Sequence, residues 1–193
     1  FEDGSWKILS AGTLGEVSVS NSNLDFDFAN VRLRSLSVSD AGEISGLFTK
    51  LTFLGDFSLS ATSSFKPGVQ LVFEGQAGTY SNKIPDLNLD LSVLSGVLDW
   101  EDGNLKSLDL KGSRVNSSQV SKRTGLLNMG AGANLSLNSG GTLTIIDSIA
   151  VTATADQKAA LTAPTNSTLL HDIYRKYCFD HLNVSGVNLE GDA

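Results

Sequence analysis

Residues 47–61 read LFTKLTFLGDFSLSA, and apolar side chains recur there at every second position. A period of two is typical of a β-strand with one buried face, because successive side chains point to opposite sides of a strand. A two-residue hairpin at Gly55-Asp56 would reverse this phase, and the phase is the same on both sides. We therefore predict one long bent strand, or a turn of odd length, with Gly55 at a bulge or bend.

The same alternation extends over much of the chain. In residues 87–93, Leu87, Leu89, Leu91 and Val93 alternate with polar side chains. Turn sequences separate the shorter runs, as at residues 40–42, 66–68, 102–104 and 138–141. These patterns predict a mainly β fold of long, largely antiparallel amphipathic strands, arranged as a curved sheet or sandwich. A β-solenoid satisfies the same alternation.

One short helix is predicted in the C-terminal region. After Pro164, apolar residues recur at helical spacing, at Leu169, Leu170, Ile173, Tyr174 and Tyr177. A final strand is predicted around residues 184–189.

Length and composition favour a single β-rich domain over residues 1–193. The chain holds 19 Gly, 26 Ser, 13 Thr and 13 Asn, residues that favour turns and strand faces over surface helices. Residues 1–9, FEDGSWKIL, resemble residues 100–108, WEDGNLKSL. If this echo is a repeat, the domain comprises two similar sheets divided near residue 95, but nine positions are few and the convergence of two Glu-Asp-Gly turns is the favoured explanation.

Charge and cysteine content limit the classes of partner and the cellular compartments to be considered. With 14 Lys and Arg against 21 Asp and Glu, the net charge is −7, which disfavours nucleic acid as a partner. No apolar run is long enough for a transmembrane helix. A first residue other than Met and a single methionine predict a processed or excised segment. The single cysteine suits an extracytoplasmic protein, whether periplasmic, secreted or surface-exposed, at least as well as a cytosolic one, and the four glycosylation sequons are compatible with secretion.

Residues of catalytic type cluster in one segment, which contains His171, Asp172, Cys178, Asp180 and His181. His171 and Cys178 would share a helical face, as a nucleophile and its base would. Cys178 lies between Tyr177 and Phe179, however, and this context favours a core residue over a metal ligand or a nucleophile.

A second polar cluster consists of Asp99, Glu101, Asp102 and Asn104. Its spacing differs from that of the helix-loop-helix calcium site, and a hairpin turn at Asp102-Gly103 explains the same residues. Phosphate-loop, dinucleotide-binding, nucleophile-elbow and zinc-protease motifs are absent from the sequence. We therefore predict no catalytic residue, no metal site and no cofactor, and a protein that is not an enzyme.

Residues 84–91, IPDLNLDL, and 96–112, GVLDWEDGNLKSLDLKG, combine alternating leucines with Asp-Gly turns. In this they resemble the repeats of AsmA-like envelope proteins and of the type II secretion N-subunit family. The resemblance implies long β-sheets curled into a lipid-facing groove, or a supporting role in secretion across the envelope, and no enzymatic activity.

The function predicted from these observations is a non-catalytic extracytoplasmic β module that acts in assembly, scaffolding or binding, with other protein subunits as partners. A lipid-binding β-groove and a virus or phage coat or fibre component are the alternatives. The predicted lipid or partner face consists of Leu47, Leu51, Phe53, Phe57, Leu59, Leu87, Leu89, Leu91 and Val93.

Overall fold

The computed structural model describes residues 2–9, 12–117, 121–171 and 182–191. Within these ranges the chain is all β, with eighteen strands in one sheet and no helix. The chain winds in successive coils, and its strands pair in parallel with strands of the next coil. Leu51 thus pairs with Leu71, and Leu71 with Leu91. A chain that winds in this way, in coils stacked along one axis, is a β-solenoid.

The strands are β1 Glu2–Ile8, β2 Thr13–Phe26, β3 Asn30–Ser39, β4 Glu43–Gly46, β5 Lys50–Phe53, β6 Phe57–Leu59, β7 Ser64–Phe65, β8 Gln70–Phe73, β9 Ala77–Asn82, β10 Leu89–Val93, β11 Val97–Asp102, β12 Leu105–Leu110, β13 Arg114–Ser117, β14 Ser121–Met129, β15 Asn134–Ser136, β16 Thr142–Val151, β17 Ala159–His171 and β18 Leu182–Gly191.

The pairings define three ladders along the solenoid. The first ladder includes β5, β8, β10 and β12, and the second includes β6, β9, β11, β13 and β15. The third ladder has two parts: the first contains β1, β4, β7 and residues 20–26 of β2, and the second contains residues 121–124 of β14, 142–145 of β16, 168–171 of β17 and 188–191 of β18. The long strands also continue the other ladders, because residues 126–129 of β14 pair with β12 and residues 160–162 of β17 pair with β15. The strands on either side of residue 95, β10 and β11, belong to the same sheet. Within the described residues, no helix is long and apolar enough to cross a membrane.

The core is a stack of inward-facing apolar side chains in which each coil covers the next. Val31, Leu51, Leu71 and Leu91 occupy equivalent positions in successive coils, and each is at most 1% exposed. Aromatic rings fill the wider part of this interior, and Phe57 stacks on Tyr80 with ring centroids 5.6 Å apart. Burial of each such side chain contributes about 1.5–3 kcal/mol to folding.

The prediction of largely antiparallel strands in a curved sheet or sandwich is wrong, because the described pairings are parallel. Alternation shows which side of a strand is buried, and that side is independent of the direction of the neighbouring strands. Inward-facing side chains in a solenoid therefore produce the same pattern as the buried face of an antiparallel sheet.

A corner between β5 and β6 explains why the alternation of residues 47–61 keeps its phase. Three residues, Leu54-Gly55-Asp56, separate the strands, and because three is odd, both Phe53 and Phe57 point inward. The amides of Leu54 and Gly55 donate hydrogen bonds of 3.1 and 2.8 Å to the carbonyl oxygen of Arg34 in the preceding coil. Of the two predicted alternatives, the structure has the turn of odd length.

The prediction of a helix after Pro164 is wrong for the part that the structure describes. Residues Ala159–His171 form β17, in which Leu169 pairs with Leu143 of β16. The rest of the predicted helix, in residues 172–177, lies outside the described residues. The spacing of apolar residues at 169–177 suits a helix, but β16 and β18 offer pairing on both sides, and tertiary context of this kind overrides local preference. The predicted final strand, residues 184–189, falls within β18.

Replacing an interior aromatic residue should destabilise the solenoid much more than replacing an exposed leucine. Phe57→Ala opens a cavity in the aromatic stack, and we expect it to lower the free energy of unfolding by about 3–5 kcal/mol. Leu47→Ala is the matched control, because Leu47 is 67% exposed, and its effect should stay within about 0.5 kcal/mol. Urea denaturation followed by circular dichroism measures both values. Equal effects of the two substitutions would contradict the interior position of Phe57.

Candidate functional site: a cleft beneath the loop 83–88

The regular stacking of coils is interrupted at residues 83–88, which read KIPDLN. The third ladder has a strand, β7, in the coil before this one and resumes at Ser121 of β14, but in the coil between them residues 83–88 form a loop with a turn at Pro85-Asp86. Asp86 adopts a left-handed backbone conformation with φ of 60°. Asp tolerates this conformation better than most residues other than Gly, and the turn therefore suits the sequence.

A buried asparagine holds the loop in place. Asn82 ends β9 and is 2% exposed, in register with the apolar Leu59 of the preceding coil. Its side-chain nitrogen donates a hydrogen bond of 2.7 Å to the carbonyl oxygen of Leu87. Its side-chain oxygen accepts one of 3.1 Å from the amide of Ile84. One side chain thus satisfies backbone groups at both ends of the loop.

The loop overhangs a cleft of about 530 Å³, a volume within the usual range of ligand-binding pockets. The opposite wall comes from the corner after β11 and from β12, β14 and β16. The lining residues are Asn82, Lys83, Ile84, Pro85, Asp86, Leu87, Asn88, Gly103, Asn104, Leu105, Lys106, Arg123, Gly125, Ile146 and Asp147.

Irregularities in strand register shape the opposite wall. Gly125 of β14 lies opposite two residues of β16, Ile146 and Asp147, and Lys106 is an extra residue of β12 in its register with β10. A Cβ atom on Gly125 would lie 2.5 Å from the Lys106 carbonyl oxygen and 2.9 Å from the Asp147 carboxylate. β-Bulges redirect side chains next to functional sites, and here they bring Lys106 and Asp147 to the cleft.

Lys83 and Lys106, which line the cleft, each form an ion pair. The Lys83 Nζ lies 3.6 Å from a carboxylate oxygen of Asp102, and the Lys106 Nζ lies 3.2 Å from one of Asp90. The lysine side chains are more than half exposed, so these pairs add little to stability. They do leave the charges of the cleft nearly balanced.

A buried lysine and a tryptophan support the corner that forms the cleft wall at residues 103–104. The Trp100 Nε1 donates a hydrogen bond of 2.9 Å to the carbonyl oxygen of Gly103. The Lys122 Nζ donates one of 2.6 Å to the carbonyl oxygen of Glu101 and lies 5.0 Å from the centroid of the Trp100 ring. Burial lowers the pKa of Lys122 to about 8, although the negative charges of Asp102 and Glu101 oppose this shift.

A second groove, also of about 530 Å³, runs over the outside of the second ladder. Serine hydroxyls and the carboxylates of Glu16, Asp56 and Glu101 line it. Asp56 accepts hydrogen bonds of 3.0 Å from both the amide and the hydroxyl of Thr79 in the next coil. Because these contacts connect successive coils, we attribute to them a role in stabilising the ladder.

The structure divides the nine residues of the predicted lipid or partner face. Seven of them, Leu51, Phe53, Phe57, Leu59, Leu89, Leu91 and Val93, are at most 1% exposed and fill the interior. Leu47 is exposed, and Leu87 lines the cleft. A lipid would therefore have to bind the outside of the solenoid or displace its core.

The predicted polar clusters are placed as follows. Asp99 accepts a hydrogen bond of 2.7 Å from Asn116, Asp102 accepts one of 2.9 Å from Ser81, and Asn104 lines the cleft. Gly103 lies at a corner with φ of 84°, and β11 and β12 belong to different ladders, so the predicted hairpin at Asp102-Gly103 is absent. No three His, Cys, Asp or Glu side chains lie close enough to hold a metal ion in the part of the chain that the structure describes.

His171 is the last residue of β17. The other members of its predicted cluster, Asp172, Cys178, Asp180 and His181, lie outside the described residues.

Sequence reasoning missed the cleft, although the chain contains a signal for it. Its cationic residues, Lys83, Lys106 and Arg123, are spread over 41 positions of the sequence, and only stacking of the coils brings them together. The signal is a repeat of about 20 residues, in which Val31, Leu51, Leu71 and Leu91 each begin a similar apolar segment. Residues 83–88, KIPDLN, lie between two of these segments and contain a proline that is unsuited to a strand.

Comparison of the chain with protein-family models, with curated proteins and with solved structures yields no match. The resemblance to AsmA-like and type II secretion N-subunit proteins stays a prediction.

Removal of the Asn82 side chain should loosen the loop. We expect Asn82→Ala to lower the free energy of unfolding by about 1–3 kcal/mol, because buried backbone groups lose their partners. Hydrogen exchange of the amides of residues 84 and 86–88 should become faster. Asn116→Ala, which removes a hydrogen bond at the surface of another ladder, should leave the exchange of the loop unchanged. Unaltered loop exchange in Asn82→Ala would contradict the role of this side chain.

The buried Lys122 should make stability depend on pH. Between about pH 8 and 10.5 the unfolded chain holds a proton on Lys122 that the folded chain has released, so stability should rise with pH across this window. The full rise corresponds to about 3 kcal/mol. Lys122→Met should abolish it, whereas the exposed control Lys158→Met should keep it. Urea denaturation at a series of pH values compares the three proteins. A rise that persists in Lys122→Met would exclude this lysine as its source.

Proposed function

We propose that this chain is a non-catalytic β-solenoid module that acts outside the cytoplasm, in binding within an envelope or extracellular complex, and that the cleft beneath the loop 83–88 is its binding site. The observation that carries the proposal is the loop itself. It replaces a strand of the repeating coil, and the buried Asn82 anchors it. Loops that depart from the repeat in a solenoid often form its binding face.

The lining of the cleft supports binding rather than catalysis. Its fifteen described residues include no Ser, Thr, Cys, His or Tyr, and the groups in it that could act as acids or bases are the carboxylates of Asp86 and Asp147 and the lysines. Lys83 and Lys106 are ion-paired with neighbouring carboxylates. Walls of amides, paired charges and apolar side chains are suited to holding a ligand in one orientation.

Support for a location outside the cytoplasm comes from the composition of the chain. Cys178 is its single cysteine, and Ser, Thr, Asn and Gly are abundant. Many of these polar residues lie on the outer side of the second ladder, where Ser18, Ser37, Ser58 and Ser81 are in register in successive coils. Parallel ladders of this kind give a rigid surface that needs no disulfide bond to hold it together.

Fractionation of cells that make the protein at its natural level tests the proposed location. We expect an antibody against the chain to find the protein in the periplasmic, secreted or surface fraction. Recovery in the cytosolic fraction, with a cytosolic enzyme as marker, would overturn the proposal.

Native mass spectrometry of the protein purified without detergent separates the proposed function from its alternatives. We expect a chain without lipid, because the interior is filled by its own side chains. An adduct of several hundred daltons that organic solvent extracts would favour a lipid-binding protein instead. A closed homo-oligomer without adduct would favour a coat or fibre component.

A further inference from the structure

We propose that the cleft beneath the loop 83–88 binds a neutral, hydroxyl-rich oligosaccharide of two or three rings. This inference rests on the proposed function and names the ligand class for the same site. Three features of the cleft support it: the charge, the apolar surface and the rigidity.

The charge of the cleft disfavours a strongly charged ligand. Lys83, Lys106 and Arg123 line it together with the carboxylates of Asp86 and Asp147. Asp102 and Asp90 pair with the two lysines from just outside the lining. An anion would meet several carboxylates, and a cation would meet ammonium and guanidinium groups. Neutral hydroxyl groups can donate to the carboxylates and accept from the cations at the same time.

The remaining lining matches the two kinds of surface on a sugar ring. Ile84, Pro85 and Leu87 provide apolar surface on the loop side, which suits the C–H groups on the face of a ring. Asn88 and Asn104 provide amide groups, each of which can both donate to and accept from hydroxyls. The volume of about 530 Å³ is sufficient for a ligand of two or three rings.

The cleft is rigid before any ligand arrives. Asn82 holds the loop from within the core, and the Trp100 indole holds the carbonyl of Gly103 on the opposite wall. At Gly103 the backbone passes so close to the Asn82 carbonyl oxygen that a Cβ atom would lie 2.4 Å from it. A site that is already ordered loses little conformational entropy on binding, which matters for oligosaccharides because their many hydroxyls gain little from desolvation.

Titration calorimetry with trisaccharides of equal length and different charge tests the inference on the full chain. The neutral probes are cellotriose, maltotriose and N-acetylated chitotriose; the charged probes are deacetylated chitotriose and trigalacturonate. We expect at least one neutral probe to bind with a Kd between roughly 10 μM and 1 mM, and more tightly than either charged probe. Its affinity should stay constant as NaCl rises from about 0.05 to about 0.5 M, because no net charge is neutralised.

Two matched double substitutions locate the binding. Asn88→Ala combined with Asn104→Ala removes both amide groups from the cleft and should weaken binding at least tenfold. Gln76→Ala combined with Asn30→Ala removes two exposed amides outside the cleft and should leave binding unchanged. Circular dichroism and urea denaturation should show that both variants fold. Tighter binding of a charged probe, absence of binding by all three neutral probes at about 10 mM, or undiminished binding by the variant that lacks Asn88 and Asn104 would overturn the inference.

The outcomes distinguish this inference from the proposed function. A protein that is located outside the cytoplasm but binds none of the neutral probes would refute the ligand class and leave the proposed function standing. A cytosolic protein would refute the proposed function whatever the probes do.

Discussion

The parallel stacking of one coil on the next is the constraint on which the rest of the structure depends. Each strand obtains its backbone partners from the coils before and after it, about 4.8 Å away, so no coil is stable alone. The side chains must follow the same spacing. Leu51, Leu71 and Leu91 therefore lie in line, and Phe57 stacks on Tyr80. The interior is closed by these contacts, which is why apolar alternation in this chain indicates a core rather than an open lipid-facing groove.

The same constraint explains where a binding site can arise. Where the ladders continue, the outer surface repeats from coil to coil and its polar side chains bond to one another, as Asp56 does with Thr79. At residues 83–88 the third ladder lacks a strand, and the loop needs another source of hydrogen bonds. Asn82 supplies them from an inward position that Leu59 occupies one coil earlier. A polar residue in the core thus stabilises the loop that forms the cleft.

Much of the interior could be predicted from the sequence, and the architecture could not. The alternation through Leu51, Phe53 and Phe57 identified buried side chains, and the unchanged phase across Gly55 left a long bent strand or a turn of odd length, of which the structure has the turn. The direction of the neighbouring strands was predicted wrongly because alternation is the same for parallel and antiparallel partners. Residues Ala159–His171 were predicted in part as helix because their partners in β16 and β18 are invisible to local spacing. Of the candidate site, only Leu87 was among the predicted residues.

The sequence by itself determined that this chain is mainly β, which of many side chains face inward, and where most of its turns lie, because period and turn chemistry are properties of short segments. Only the tertiary structure decided that the strands are parallel, that the coils close around a filled core, and that Lys83, Lys106 and Arg123 meet at one cleft. The physical reason is that strand pairing and side-chain stacking join residues about one coil apart, and local patterns carry no information about that distance.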